Sequence, residues 1–222
     1  VTGGGPRGWQ ARRRAMVREQ VEPRGIGNPA VLAAMATVPR HCFVPEKLAR
    51  HAYDDAPLPI GEGQTISQPY MVAAMCDCAE LGPLDRVLEV GAGSGYGAAV
   101  LASVARQVVT VERHAVLAET AQAVLVGLGF ANVTVVVGDG SLGEPGRAPY
   151  DAIVVTAAGP DVPAALTGQL ADGGRLVMPV EGSDGVQHLL LVRRSSTRVS
   201  REELGPVRFV PLVGEQGWHP DL

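Results

Sequence analysis

From Arg86 onward, the chain alternates between short apolar runs and segments with a helical pattern. The apolar runs are RVLEV, VVTVE, VTVVV, DAIVV and RLVMPV, and uninterrupted runs of this length are typical of strands that are covered on both faces. The helical patterns between them span Ser94 to Ala105, Ala115 to Leu128 and Val162 to Leu170. This alternation predicts an α/β fold with a doubly wound, mostly parallel sheet. Two later apolar runs, near His188 to Val192 and Val207 to Pro211, are predicted to add edge strands.

The first 80 residues have a different character, and they predict a helical extension before the sheet. Residues 1–9 are rich in glycine, and we expect them to be flexible. One helix is predicted from Gln10 to Glu22, and a second begins at Pro29 with Asn28 as its N-cap. After a turn-rich loop, a third helix is predicted from Pro69 to about Glu80.

The composition excludes several classes of protein. The 222 residues carry a formal net charge of -4 and only 4% aromatic residues, so we predict no nucleic-acid partner. No apolar run reaches the roughly eighteen residues of a membrane span, and the N-terminal residues lack the apolar segment of a signal peptide. Three cysteines, Cys42, Cys76 and Cys78, lack the paired spacing of a zinc or redox site. We therefore expect no membrane association, no metal and a cytoplasmic location.

A glycine-rich turn follows the first strand of the predicted sheet, in the run VLEVGAGSGYG. Gly91, Gly93 and Gly95 leave room for a ligand to approach backbone N–H groups, and parallel sheets bind ligands at this end of their strands. Enzymes that bind dinucleotides use the same device, so the turn by itself does not identify the ligand.

Acidic residues at the ends of three successive strands favour one ligand over the others. Glu89 lies just before the turn, where negative charge gives no advantage to a pyrophosphate group. At the end of the second strand, Glu112 can accept hydrogen bonds from both hydroxyls of a ribose. Asp139 ends the third strand, where it can accept one from an adenine amino group. Singly, each could be a helix cap, a loop carboxylate or an ordinary strand-end residue, but together they indicate S-adenosylmethionine, which carries sulfonium and ammonium charges.

Longer stretches of the chain resemble one family of enzymes. They are MVREQVEPRGI, VLAAMATVPRHCFVP, AYDDAPLPIGEGQTISQPYMVAAM, VLEVGAGSGYGAAVLA, GDGSLG, APYDAIVVTAA, QLADGGRLVMPV and FVPLVGEQGW. The chain thereby resembles the protein-L-isoaspartate O-methyltransferase family from about Met16 to Trp218, and GQTISQP and APYDAI are the most specific matches. The resemblance implies a Rossmann-like, class I S-adenosylmethionine-dependent methyltransferase. Its implied substrates are isoaspartyl residues of damaged proteins, whose methylated α-carboxylate cyclises to a succinimide that reopens in part as aspartate.

The resemblance also implies the residues of the site and the extent of the domain. The active-site serine of the family falls on Ser67. The resemblance implies cofactor contacts at Gln64, Thr65, Ile66, Ser67, Gly91, Ala92, Gly93, Glu112, Gly138, Asp139 and Gly140. Glu89 is added to this set because of its position at the end of the first strand. One methyltransferase domain is expected over residues 10–222, with the substrate loop within 10–80 and the cofactor-binding sheet within 81–222. We expect the protein to be a monomer.

The loop around Ser67 contains no His, Cys or Lys, and the implied chemistry explains why none is needed. A carboxylic acid is already ionised at neutral pH, so a carboxylate that attacks a methyl group needs no general base. Alignment is the remaining requirement, and a hydroxyl that donates a hydrogen bond to the substrate carboxylate can provide it. The alternative role for Ser67 is the N-cap of the helix that begins at Pro69.

Two other functions are compatible with the sequence. A related enzyme could methylate an ordinary aspartate of one dedicated peptide and so form a succinimide. From a different class, the chain could be an NAD-dependent oxidoreductase or a noncatalytic adenosyl-binding protein built on the same sheet.

Overall fold

The computed structural model describes residues 5–196 and 198–219. Its helices are α1 Pro6–Met16, α2 Pro29–Thr37, α3 Pro69–Cys78, α4 Tyr96–Ala102, α5 Ala115–Gly127 and α6 Ala164–Gly168. The strands are β1 Leu58–Gly61, β2 Gln64–Ile66, β3 Arg86–Val90, β4 Gln107–Glu112, β5 Val133–Val137, β6 Tyr150–Val155, β7 Leu170–Glu181, β8 Gln187–Ser195 and β9 Arg198–Val207. Among the described residues, no helix has both the length and the apolar character that crossing a membrane requires.

Seven strands form one sheet in the order β5-β4-β3-β6-β7-β8-β9. The strands from β5 to β7 are parallel, whereas β8 and β9 pair antiparallel at one end. From the central strand β3, the chain proceeds outward to β4 and β5 and then returns to β6 on the other side. The prediction of a doubly wound, mostly parallel sheet is therefore confirmed.

The central strands of the sheet are buried on both faces, to which their successive side chains point alternately. Val87 and Val108 belong to an apolar cluster that includes residues of the N-terminal helices and α4, whereas Leu88 and Val109 belong to a second cluster that includes Leu166 of α6. All four of these strand residues are almost completely buried. Such two-sided burial explains the uninterrupted apolar runs in the sequence.

The first helix begins earlier than predicted. Residues 1–4 lie outside the described residues, and α1 begins at Pro6, four residues before the predicted start at Gln10. Pro6 is favourable in the first turn of a helix, and the Trp9 ring stacks on His41 with 4.5 Å between ring centroids. A π-helical turn, Val17–Val21, and a short 3-10 turn continue the chain to Gly25, which has φ 91°.

The antiparallel end of the sheet also differs from the sequence prediction. β8 is longer than predicted and lies between β7 and β9, so it is not an edge strand. The edge strand β9 covers Arg198–Val207 instead of the predicted Val207 to Pro211. Its sequence is largely polar and its side chains are mostly exposed, so it has no apolar pattern that could indicate a strand. Backbone pairing with β8 holds it in place.

Candidate active site

One cavity lies at the carboxyl ends of the central parallel strands. Its walls include the turn after β3, the residues that follow β4, and Thr156 and Ala157 after β6. This is the position at which the strand order reverses, between β3 and β6, and doubly wound sheets bind ligands at such points. The segment Gln64–Ser67 and the C-terminal segment Val210–Val213 complete the lining.

The glycine turn after β3 leaves no space for side chains. Gly91 has φ 94°, and a Cβ atom on it would lie 2.4 Å from Thr156 Oγ1. The Thr156 hydroxyl is 2.9 Å from the Gly91 carbonyl and 3.1 Å from the Val90 carbonyl, so it can donate a hydrogen bond to either. The backbone N–H of Gly91 donates to Val111 O of β4. These contacts fix the turn against both neighbouring strands.

Glu112, at the end of β4, connects this turn to the start of α5. It is 5% exposed, and its carboxylate accepts hydrogen bonds from the backbone N–H of Gly93 and of His114, both at 2.9 Å. Since each carboxylate oxygen can accept more than one hydrogen bond, acceptor capacity remains for a ligand hydroxyl. Glu112 therefore organises the cavity wall and also presents negative charge to the cavity.

Glu89 is a second carboxyl group in the cavity lining, and it is only 1% exposed. Thr110 donates a hydrogen bond to it at 2.6 Å. Burial raises the pKa of Glu89 to about 8, although the Thr110 hydrogen bond lowers it, and the Glu112 charge adds a smaller rise. A Cβ atom on Gly97 would lie 2.2 Å from Glu89 Oε1. The absence of a side chain at Gly97 thus provides the space for this buried carboxyl group.

Glu89 gives the stability of the ligand-free protein a specific pH dependence. Its pKa is higher in the folded state, about 8, than the ordinary value of 4.5, so the folded protein retains a proton that the unfolded chain releases between these values. Stability therefore falls as the pH rises through this window. A Gln at this position cannot ionise. The free energy of unfolding of Glu89→Gln, relative to that of the wild type, should therefore rise by on the order of 3–5 kcal/mol as the pH increases from about 5 to about 8.

Chemical denaturation at several pH values measures this difference. Glu119→Gln, on the exposed side of α5, is the matched control and should follow the wild type at every pH. If Glu89→Gln and the wild type lost stability in parallel as the pH rose, the assignment of a retained proton to Glu89 would be wrong.

The β1–β2 hairpin brings Ser67 to the same cavity. β1 and β2 pair antiparallel, and Ile60 packs against the glycine turn, since a Cβ atom on Gly93 would lie 3.2 Å from Ile60 Cδ1. Ser67 follows β2, is half-buried and lines the cavity. The N-cap of α3 is Gln68, and within the described part of the chain the Ser67 hydroxyl makes no hydrogen bond. The structure therefore does not show the alternative role of Ser67 as a helix cap.

The structure brings together all the predicted site residues except Gly138 and Asp139. Ten of them line the cavity: Gln64, Thr65, Ile66, Ser67, Glu89, Gly91, Ala92, Gly93, Glu112 and Gly140. Their roles towards a cofactor and substrate stay predictions.

Asp139 lines an adjacent, open depression that shares Arg113 and Val213 with the cavity, and its role in binding the cofactor stays a prediction. Its Oδ1 accepts hydrogen bonds from the backbone N–H and the hydroxyl of Ser141, and Oδ2 accepts one from Glu215 N at 2.7 Å. Gly138 lines the same depression. Asp139 thus caps the 3-10 turn that begins at Gly140 and connects it to the C-terminal segment. Because a carboxylate oxygen can accept more than one hydrogen bond, Oδ2 of Asp139 keeps acceptor capacity.

Several cavity residues were not predicted from the sequence. Thr156 follows β6, so its position at a strand end could have indicated it. The segment Val210–Val213 is held there by backbone hydrogen bonds, from Ala158 N to Val210 O and from Leu212 N to Ala158 O, both at 2.8 Å. Backbone pairing of this kind leaves no residue pattern in the sequence. His114 also lines the cavity, and its Nδ1 lies 3.8 Å from Glu62 Oε2 of the hairpin turn.

Comparisons with known proteins point to one family. The family model described as "Protein-L-isoaspartate(D-aspartate) O-methyltransferase" matches residues 11–217. A protein-L-isoaspartate O-methyltransferase 1 of Rhodopseudomonas palustris is 56% identical over 211 residues, which are 95% of this chain and 86% of the relative. A protein-L-isoaspartate O-methyltransferase of Methanoregula boonei is 54% identical over 206 residues, 93% of this chain and 94% of the relative.

Solved structures show the same similarity. One protein-L-isoaspartate O-methyltransferase superposes with a TM-score of 0.82 at 30% identity, covering 92% of this chain and 67% of that one. A second, from Plasmodium falciparum and in complex with S-adenosyl-L-homocysteine, superposes with a TM-score of 0.79 at 25% identity, covering 90% of this chain and 98% of the other. With its family match, its close relatives and its fold in agreement, the chain belongs to the protein-L-isoaspartate(D-aspartate) O-methyltransferase family.

Proposed function

We propose that this protein transfers a methyl group from S-adenosylmethionine to the α-carboxylate of L-isoaspartyl residues in damaged proteins and peptides. One observation carries the proposal: the family-specific segment Gln64–Ser67 lines the same cavity as the glycine turn and the carboxyl groups of Glu89 and Glu112. Residues expected to contact the peptide and residues expected to hold the cofactor therefore line one cavity.

The residues of the cavity fit this cofactor chemically. Glu112 has the acceptor capacity for a ribose diol, and the glycine turn allows a ligand to approach the backbone of Gly91 to Gly93. Glu112 provides negative charge for a ligand with a net positive methionyl end, whereas it would repel a pyrophosphate group. Glu89 retains its proton at neutral pH in the ligand-free protein, and a nearby positive charge favours its ionised form. When bound, S-adenosylmethionine supplies a methyl group that is activated by its attachment to a sulfonium.

The protein's task is then alignment. An α-carboxylate has a reference pKa of about 3.5 and is ionised at neutral pH, so it attacks without proton removal. Its oxygen forms the new bond to the methyl carbon while the carbon–sulfur bond breaks and its electron pair remains on sulfur. Ser67 donates a hydrogen bond to the carboxylate and orients it, and the apolar residues Ile66 and Val72 of the cavity wall exclude water.

Paired peptides test the proposed substrate. Two peptides of one sequence, with either isoaspartate or aspartate at one position, are incubated with the protein and methyl-labelled S-adenosylmethionine. We expect methyl incorporation into the isoaspartyl peptide and at most traces into the aspartyl peptide. Incorporation only into the aspartyl peptide would support the rival function of methylating a dedicated peptide.

Calorimetry that detects NAD binding but no S-adenosylhomocysteine binding would overturn the methyltransferase proposal.

We also propose that the protein acts as a monomer in the cytoplasm, without a nucleic-acid partner. Support comes from the three cysteines, which are all unpaired, and from the net charge of -4, which does not favour phosphate binding. Light scattering coupled to size-exclusion chromatography tests the oligomeric state: a mass of about 23.1 kDa is expected. A mass twice as large would contradict the proposed monomer.

A further inference from the structure

The first turn of α3 is held by a residue that lies far away in sequence. Tyr70 is in this turn, where backbone N–H groups have no partner within the helix. The N-cap residue Gln68 makes no side-chain cap. Instead, Asp55 Oδ1 accepts a hydrogen bond from Tyr70 N at 3.0 Å. A carboxylate at this position also interacts favourably with the helix dipole.

Asp55 is itself fixed by the N-terminal extension. Arg24, in the 3-10 turn after α1, donates a hydrogen bond from Nη1 to Asp55 Oδ2 at 2.7 Å. The guanidinium carbon of Arg24 lies 3.2 Å from the centroid of the Tyr70 ring. Arg24 therefore contacts both members of the Asp55–Tyr70 pair. The Asp55 side chain is 22% exposed, which makes this pair stronger than one in full contact with water.

The loop that carries Asp55 is anchored on its other side by one fully buried and one partly buried side chain. Arg40, which is fully buried, donates a hydrogen bond from Nε to Ala52 O at 2.7 Å. Gln20 donates one to Tyr53 O at 3.1 Å. Contacts from Arg24, Arg40 and Gln20 thus hold Asp55 and its loop in place, so that Asp55 can fix the position of the first turn of α3.

We infer that the Arg24–Asp55 pair positions Ser67 by capping α3 from outside the Ser67 segment, which leaves the Ser67 hydroxyl available for the substrate carboxylate. Ser67 lies three residues before Tyr70 and belongs to the chain segment that enters this helix. A Ser at the N-cap itself would satisfy such N–H groups with its own hydroxyl, but Ser67 lies one residue before the N-cap Gln68. Here Asp55 takes over that role, and Ser67 remains without a hydrogen bond in the described part of the chain. The inference rests on the proposed role of Ser67 in methyl transfer.

A double-mutant cycle tests the inference. Asp55→Ala should lower kcat for the isoaspartyl peptide by about tenfold, with S-adenosylhomocysteine affinity unchanged within about twofold. Asp55→Asn keeps an acceptor for Tyr70 N and should restore most of the loss. Asp54→Ala is the matched control, because Asp54 is an exposed neighbour whose side chain, among the described residues, pairs with His51 alone. In a Ser67→Ala background, Asp55→Ala should have no further effect.

Each outcome separates this inference from the proposed function. If Ser67→Ala lowers kcat but Asp55→Ala behaves like Asp54→Ala, the positioning role is wrong and the role of Ser67 stands. Multiplicative losses in the double variant would likewise overturn it, because they would show that Asp55 acts independently of Ser67. Full activity of Ser67→Ala would instead contradict the proposed chemistry. If Asp55→Ala does not fold, Arg24→Gln, which weakens the contact that holds Asp55, provides the same test alone and combined with Ser67→Ala.

Discussion

Ser67→Ala is expected to lower kcat for methyl transfer by about 10- to 100-fold and to leave S-adenosylhomocysteine affinity unchanged within about twofold. This loss in kcat corresponds to the free energy of one hydrogen bond to a charged group, about 1.5–3 kcal/mol. Ser67 lines the cavity, and in the described part of the chain its hydroxyl has no partner, so removing it leaves no protein group unsatisfied. The loss should therefore appear in turnover, where the carboxylate must be aligned, and hardly at all in folding stability.

Kinetics with the isoaspartyl peptide and calorimetry with S-adenosylhomocysteine measure the two quantities separately. Ser67→Thr is the matched variant: it keeps a hydroxyl and should retain more activity than Ser67→Ala. An equal loss of cofactor affinity and turnover in Ser67→Ala would show that Ser67 belongs to the cofactor site alone.

Glu112→Ala should produce the opposite pattern, with S-adenosylhomocysteine affinity reduced by about 100- to 1000-fold. Its carboxylate accepts hydrogen bonds from Gly93 N and His114 N, and it is almost completely buried. Removing it leaves two backbone N–H groups without an acceptor, and the glycine turn loses its connection to α5. The predicted bonds to the ribose hydroxyls are lost as well.

Calorimetry measures this affinity, and thermal unfolding should show a loss of stability in the ligand-free protein. Glu119→Ala provides the control, because Glu119 is an exposed acid on the helix that follows Glu112. Glu112→Gln should be intermediate, since its amide keeps one acceptor oxygen for two N–H donors. Cofactor affinity within twofold of the wild type in Glu112→Ala would mean that this carboxylate does not hold the ligand.

The sheet was predictable where burial alone determines the sequence. β3, β4, β6 and β7 are covered on both faces, β5 at the edge is partly buried, and their apolar runs, such as RVLEV and DAIVV, indicated each of them. The polar edge strand β9 was missed, because its position depends on backbone pairing with β8. The start of α1 at Pro6 was missed for a related reason: the contact that orders it, between Trp9 and His41, joins residues distant in sequence.

The site was predictable to a similar extent. Strand ends and the glycine turn indicated Glu89, Gly91 and Glu112, and the resemblance to the family indicated Ser67. Sequence could not distinguish Glu112, which lines the cavity, from Asp139, which caps a turn beside it, since both are acids after a parallel strand. Nor could it show that Asp55 contacts Tyr70, because that contact depends on how the loop is folded.

The central claim is that the cavity aligns an ionised acceptor with a methyl donor and needs no general base. The rate constant for a single turnover, measured with saturating peptide and S-adenosylmethionine between about pH 6 and about pH 9, tests it most directly. Glu89→Gln is measured in parallel, so that titration of Glu89 can be separated from the reaction itself. We predict a rate that is independent of pH in Glu89→Gln. A tenfold rise per pH unit in that variant, abolished by His114→Ala, would reveal a catalytic base in the cavity and contradict the claim.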